Sequence, residues 1–128
     1  MRILLDTHLL LWSLSAPRRL SAAARKLMDD PAHELCFSVI SLWEVAVKRA
    51  LGRSDFQVDP QILRRVLLDN DYCELPLTGE HALTIAALPP LHKDPFDRIL
   101  IAQALSDGIP FVTADKELFQ YPGLIRRV

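Results

Sequence analysis

The stretch His92-Lys93-Asp94-Pro95-Phe96-Asp97-Arg98-Ile99-Leu100-Ile101-Ala102-Gln103-Ala104-Leu105 decides how this chain is built. A polar loop stops at a proline and gives way to a nearly unbroken apolar run, so the pattern predicts a helix that belongs inside the molecule. Asp94 fits the N-cap and Pro95 has the fixed φ suited to the first helical position. Asp97 then falls at the third position, where its charge meets the positive end of the helix dipole. The chain thus sets ionised acids at a buried helix start. One such acid is a cap; several arriving from different parts of the chain would be a site.

Downstream, the helix is expected to end at Asp107-Gly108. Residues 109–113 (Ile-Pro-Phe-Val-Thr) read as a strand, Ala114-Asp115 follows, residues 116–119 form a helical turn, and Leu124-Ile125 adds a last strand. Upstream, Thr78-Gly79-Glu80-His81 starts a helix that runs to about Leu88. Tyr72-Cys73-Glu74-Leu75 is a weaker strand near a sheet edge, since Glu74 interrupts it. Pro60 opens a helix with Arg64 and Arg65 outward, and residues 54–60 read as a polar loop. Residues 35–39 form a second strand. Ser41-Leu42-Trp43-Glu44 has the form of a capping box, opening a helix that stops at Gly52. Ser21 caps a helix over 21–28. At the start, Ile3-Leu4-Leu5 is a short apolar run ending in Asp6, the pattern of a central strand buried on both faces, followed by a turn at Thr7-His8 and a short helix at 9–12.

Strands alternating with helices at this spacing imply an α/β fold in one domain, residues 1–128. It is an α/β/α sandwich around a mainly parallel sheet of four to five strands. In such folds ligands bind beyond the carboxyl ends of the strands, where the strand order reverses.

With 128 residues, half of them hydrophobic, the chain buries roughly two-thirds of its unfolded surface and needs neither disulfide nor metal to fold. Any metal is therefore functional. A net charge of -1 argues against holding nucleic acid by bulk electrostatics. The basic pairs, Lys48-Arg49 among them, read singly as solvated helix faces. Cys36 and Cys73 lie far apart in no metal-ligand or redox spacing, and are expected as buried reduced thiols, which favours the cytoplasm. The apolar run at 3–5 is too short for a signal peptide or membrane span, so no membrane association is expected. Core packing is the expected role of Trp12 and Trp43.

Four carboxylates share one positional description: Asp6 ends strand one, Glu44 lies in the helix after strand two, Asp97 in the first turn of the apolar helix, and Asp115 just past strand four. Each alone is explained as a cap or the far half of a capping box. Jointly they repel one another in a partly desolvated cleft, and a divalent cation resolves the conflict. Carboxylate oxygens without a histidine or cysteine cluster suit Mg²⁺ or Mn²⁺ rather than Zn²⁺. Thr7, Ser41 and Thr113 flank the acids and are candidates for supporting hydrogen bonds. His8 and His92 read as local hydrogen-bonding or phosphate-facing residues, and Arg98 as a partner of substrate phosphate or of a neighbouring acid.

These motifs, Asp6-Thr7-His8 with Leu10-Leu11-Trp12, Ser41-Leu42-Trp43-Glu44-Val45-Ala46 with Lys48 and Gly52, Asp94-Pro95-Phe96-Asp97-Arg98 with Ala102-Gln103-Ala104, and Thr113-Ala114-Asp115, closely resemble the PIN-domain ribonucleases, specifically VapC-like toxins of toxin-antitoxin pairs. The resemblance spans nearly the whole chain. It implies Asp6, Glu44, Asp97 and Asp115 as the acidic site, Mg²⁺ or Mn²⁺ as cofactor and RNA as substrate. It further implies a homodimer and a cognate antitoxin that lays a peptide across the site or an adjacent groove. Asp94 is assigned to capping, Asp6, Asp97 and Asp115 mainly to the metal, and Glu44 to the metal or to a water-positioning base. Arg98, Lys93 and basic pairs near the rim are expected to grip the RNA. Phosphatase and receiver-type readings fit poorly, because His8 stands where the former wants a second aspartate and the latter's acid pair is missing. The rival of another class is a catalytically silent binding module that acts through its antitoxin in autoregulation.

Overall fold

A computed structural model describes residues 1–91 and 94–128. The readings made of His92 and Lys93 lie outside the described residues. Five strands form one sheet in the order β3-β2-β1-β4-β5: β1 (Arg2–Leu5), β2 (Glu34–Ser38), β3 (Cys73–Leu75), β4 (Phe111–Thr113) and β5 (Ile125–Arg127). Every pairing is parallel, with Leu4 opposite Cys36 on one side and Phe111 on the other. The expected sheet is therefore present, with all five strands running the same way.

Parallel strands need crossovers, and helices supply them on both faces. Between β1 and β2 run α1 (Thr7–Ser15) and α2 (Ala22–Asp29); between β2 and β3, α3 (Val39–Ala50) and α4 (Pro60–Asp69); between β3 and β4, α5 (Gly79–Ala87) and α6 (Pro95–Asp107). Alternation along β1 divides the core: Ile3 and Leu5 pack with Leu9, Leu10, Leu27, Leu63 and Leu67 on one face, while Leu4 packs with Leu100, Ile101 and Phe111 on the other. The α3 helix serves both faces, sending Val45 to the first cluster and Ile40 to the second.

Local chemistry sets the helix starts, and two lie earlier than the sequence suggests. The α1 helix begins directly at Thr7, because Asp6 itself accepts the Thr7 N–H at 2.7 Å. For α3 the cap is Ser38, which accepts the Ile40 N–H at 3.0 Å, so the box expected from Ser41 does not form. Ser41 lies inside the helix, fully buried. At the other end of α6, Gly108 takes a left-handed φ of 66°, where a side chain is disfavoured.

Three further expectations give way. Residues 54–60 are anchored rather than polar throughout: a 3₁₀ turn over Ser54–Phe56 drives Phe56 into the core with no exposure. Trp43 is 55% exposed and meets Phe96 edge to face at 5.0 Å, so it is not core. Cys36 and Cys73, remote in sequence, sit directly opposite each other on β2 and β3. Trp12 packs against the core as expected.

Phe56 is the largest hydrophobe that the sequence hides in a polar stretch. Phe56→Ala should lower the unfolding free energy by about 3–5 kcal/mol. Leu51→Ala, at a site 75% exposed, should stay within about 0.5 kcal/mol. Denaturant titration of both variants measures the difference.

Candidate functional site

The strand order reverses between β1 and β4, the two central strands, since the chain moves from β1 to β2 and β3 on one side and places β4 and β5 on the other. The carboxyl ends of β1 and β4 therefore border the crevice that parallel α/β sheets use for ligands. Asp6 follows β1 immediately and is 5% exposed. Its Oδ1 accepts the Thr7 N–H at 2.7 Å and its Oδ2 accepts the Thr113 hydroxyl, at the end of β4, at 2.6 Å. The two central strands are thus joined at their ends through this one carboxylate.

Glu44 reaches the same place from the second turn of α3 and is 2% exposed. The Thr7 hydroxyl donates to its Oε1 at 2.6 Å, and Thr7 Oγ1 also lies 2.8 Å from Ser41 Oγ. Glu44 Oε2 accepts from Lys48 Nζ at 2.6 Å, one turn along the helix, and that ammonium also donates to Asp94 Oδ2 at 2.9 Å. Asp94 Oδ1 caps α6 by accepting the Phe96 N–H at 2.9 Å. Capping is thus only half of what Asp94 does, because its other oxygen turns to Lys48. Glu44, Asp94 and Asp97 each present a carboxylate oxygen within 4.8 Å of the others.

The charges are unequally served. Burial pushes Asp97 up to about 8, helped by the negative charges of Asp6, Asp94 and Glu44, with Lys48 opposing. Burial likewise raises Asp6, against the Thr113 hydroxyl that favours its ionised form. Asp94 moves the other way: burial disfavours its charge, yet the Lys48 ammonium holds it below the usual carboxylate range. Lys48, itself desolvated, is kept protonated by Glu44 and Asp94, and its ammonium lies 4.8 Å from the Phe56 ring and 5.3 Å from the Phe96 ring. One ammonium therefore serves two acids, Glu44 and Asp94. The donors are all hard oxygens, and burial together with the neighbouring acids raises the proton affinity of Asp97. This set fits a hard divalent cation such as Mg²⁺ or Mn²⁺.

Asp115 is placed differently. Its Oδ1 caps a 3₁₀ turn over Lys116–Gln120 by accepting the Glu117 N–H at 2.9 Å, and its own N–H donates to Thr113 Oγ1 at 3.0 Å. It connects to the acids through Thr113 and Asp6, and neither it nor Asp6 is among the three carboxylates that converge within 4.8 Å.

Arg98 Nη2 donates to the Ile85 and Leu88 carbonyls at 3.4 Å, closing the end of α5. His8 behaves as a local hydrogen-bonding residue, 3.3 Å from Asp55 Oδ2 and 5.1 Å from the Phe56 ring. Lys48 is the member that reading the residues alone left as part of a solvated basic pair. The signal for it was Glu44 four residues earlier, the spacing that brings side chains together on one helix face.

Residues 3–124 match the PIN domain family. Ribonuclease VapC22 of Mycobacterium tuberculosis is 32% identical over 117 residues, covering 91% of this chain and 88% of the relative. Two solved structures are similar in fold. VapBC2 of Rickettsia felis, bound to a DNA fragment from its promoter, matches with a TM-score of 0.74 at 13% identity over 100% of this chain and 99% of that one. DNA-bound VapBC of Salmonella typhimurium matches with a TM-score of 0.63 at 20% identity, over 100% and 97%. The family match over almost the whole chain and the 32% identical relative place this protein in the PIN-domain family.

Proposed function

We propose that this protein is a metal-dependent endoribonuclease that hydrolyses RNA phosphodiester bonds as the toxin of a toxin-antitoxin pair. The observation that carries the reading is the convergence of Glu44, Asp94 and Asp97 near the point of strand reversal, with Asp6 close enough for its charge to raise Asp97. The relative named as a ribonuclease supports the reaction class, and the VapBC structures support an antitoxin partner.

In this reading Asp6, Asp97 and Asp115 hold a Mg²⁺ or Mn²⁺ ion. Glu44 completes the set as a ligand or positions the attacking water, and Asp94 joins the same negative field. When bound, such an ion supplies a Lewis acid that polarises a phosphoryl oxygen and lowers the pKa of water. The remaining work falls to the chain. Thr113 and the Thr7 N–H orient the two oxygens of Asp6, while the Thr7 hydroxyl and Lys48 fix the two oxygens of Glu44. With both atoms engaged, neither carboxylate is free to turn, which is how outer hydrogen bonds tune a metal site. A homodimer in the cytoplasm is part of the proposal. Among the described residues no helix is long and apolar enough to cross a membrane.

The test is to incubate the antitoxin-free protein with total host RNA in Mn²⁺ or Mg²⁺ and map new 5′ ends. Discrete ends are expected, absent with chelator and absent in Asp6→Asn or Asp97→Asn. No new ends from folded, antitoxin-free protein would favour the silent binding module instead. Thr7→Val should lower the cleavage rate by roughly 10–100-fold with the fold intact, because Glu44 loses an orienting donor.

Without metal, stability should fall with rising pH. Asp97, raised to about 8 from the unfolded value of 3.8, holds a proton in the folded state that the unfolded chain has already lost. Its stabilising contribution is complete below pH 3.8 and disappears as the pH rises through 8. Thermal melts from pH 6 to pH 9 should show a decline that Asp97→Asn flattens and Mn²⁺ opposes. A melting temperature independent of pH in the wild-type protein would sink this assignment.

A further inference from the structure

Outside the acidic site, the most unusual grouping of reactive side chains lies on the α5/α6 face, toward the amino ends of β1 and β2. Cys36 and Cys73 occupy directly paired positions on adjacent parallel strands, and their sulfurs and a Glu34 carboxylate oxygen all lie within 4.8 Å of one another. The Arg2 guanidinium donates to Cys73 Sγ at 2.8 Å and lies 3.9 Å from Glu34. The two thiols differ in setting. Cys36 is fully buried, with its S–H directed at the Glu34 carbonyl at 3.8 Å, whereas Cys73 is partly exposed.

From this geometry we infer that Cys73 and Cys36 form a peroxide-sensitive dithiol, in which Cys73 meets the oxidant and Cys36 closes a disulfide between β2 and β3. Arg2 decides between this and the other chemistry that two sulfurs and a carboxylate offer. The guanidinium donates directly to the Cys73 sulfur at 2.8 Å, the kind of cationic setting in which reactive cysteines are found. The same guanidinium repels a soft metal cation. Burial and the neighbouring Cys73 push the Cys36 thiol up to about 12 even against the same Arg2 guanidinium, so it stays protonated while its partner reacts. Access agrees with this order, since only Cys73 reaches solvent.

The steps balance with hydrogen peroxide as oxidant. The Cys73 sulfur attacks one peroxide oxygen, the O–O bond breaks, the departing hydroxide takes a proton to leave as water, and Cys73 becomes a sulfenic acid. The Cys36 sulfur then attacks the Cys73 sulfur. The S–S bond forms, the S–O bond breaks, and the hydroxide leaves as water with the proton that Cys36 gives up. Two thiols are oxidised, and one peroxide is reduced to two waters. The product ties the edge strand β3 to the sheet, and a thiol reductant reverses it.

The full-length protein, exposed to hydrogen peroxide and then to N-ethylmaleimide, is read by intact mass and peptide mapping. The expected product has lost two hydrogens, takes up no maleimide, yields a linked Cys36–Cys73 peptide, and regains both thiols in dithiothreitol. Cys36→Ser should stop at a sulfenic acid on Cys73 that dimedone traps. Arg2→Gln should slow the oxidation several-fold, a change that a merely structural arginine would not cause in a folded protein. Oxidation of Cys73 beyond sulfenic acid in the wild-type protein without any linked peptide would overturn the inference. So would thiols that resist peroxide until a chelator removes bound zinc, which would make the group a metal site.

Discussion

Among the described residues, Lys48 is the cation placed among carboxylates that would otherwise drive one another apart. Its ammonium touches Glu44 at 2.6 Å and Asp94 at 2.9 Å, joining α3 to the start of α6. Desolvation makes that contact strong and also makes its insufficiency costly, because Asp6 and Asp97 remain in the same cluster with their ionised forms disfavoured. The folded chain therefore concentrates desolvated carboxylates at one spot. A divalent cation would offset their mutual repulsion, and the proposed function rests on that.

The fold can be understood as the arrangement that produces this spot. Parallel strands end together at one edge, and the reversal of strand order between β1 and β4 leaves a crevice there. Each acid arrives by a local device. Asp6 caps α1, Asp94 caps α6, Asp97 follows in the first turn of α6, and Glu44 faces inward one turn into α3. Caps place carboxylates at helix N-termini for reasons of their own, and a parallel sheet gathers those N-termini at one edge. Convergence follows from combining the two. The threonines complete it, since Thr7 and Thr113 bind Glu44 and Asp6 through hydroxyls that have no exposure.

How much could be read beforehand tracks how local each feature is. The start of α6 was legible because Asp94-Pro95 is a complete signal within two residues, and Asp6 was legible because it interrupts an apolar strand. Ser38 was missed as the cap of α3 because Ser41 three residues later offered a competing pattern with Glu44. The Glu44–Lys48 pair was open to spacing, but the meeting of Lys48 with Asp94 was not, since it depends on how α3 packs against α6. Phe56 was hidden by polar neighbours. The pairing of Cys36 with Cys73 required knowing that β3 lies beside β2 in that register. The contact of Arg98 with the end of α5 was not legible either, because proximity in sequence to Asp97 says nothing of direction.

The most direct test of the central claim is to count the protons released when Mn²⁺ binds. Calorimetric titration at pH 7 in two buffers of different ionisation enthalpy gives that number. With Asp97 raised to about 8, most molecules carry its proton at that pH, so saturable binding should release at least roughly one proton. Asp97→Asn should release correspondingly fewer. Binding whose heat is the same in both buffers, or no saturable binding, would contradict the account of these acids as a charge deficit that a metal ion fills.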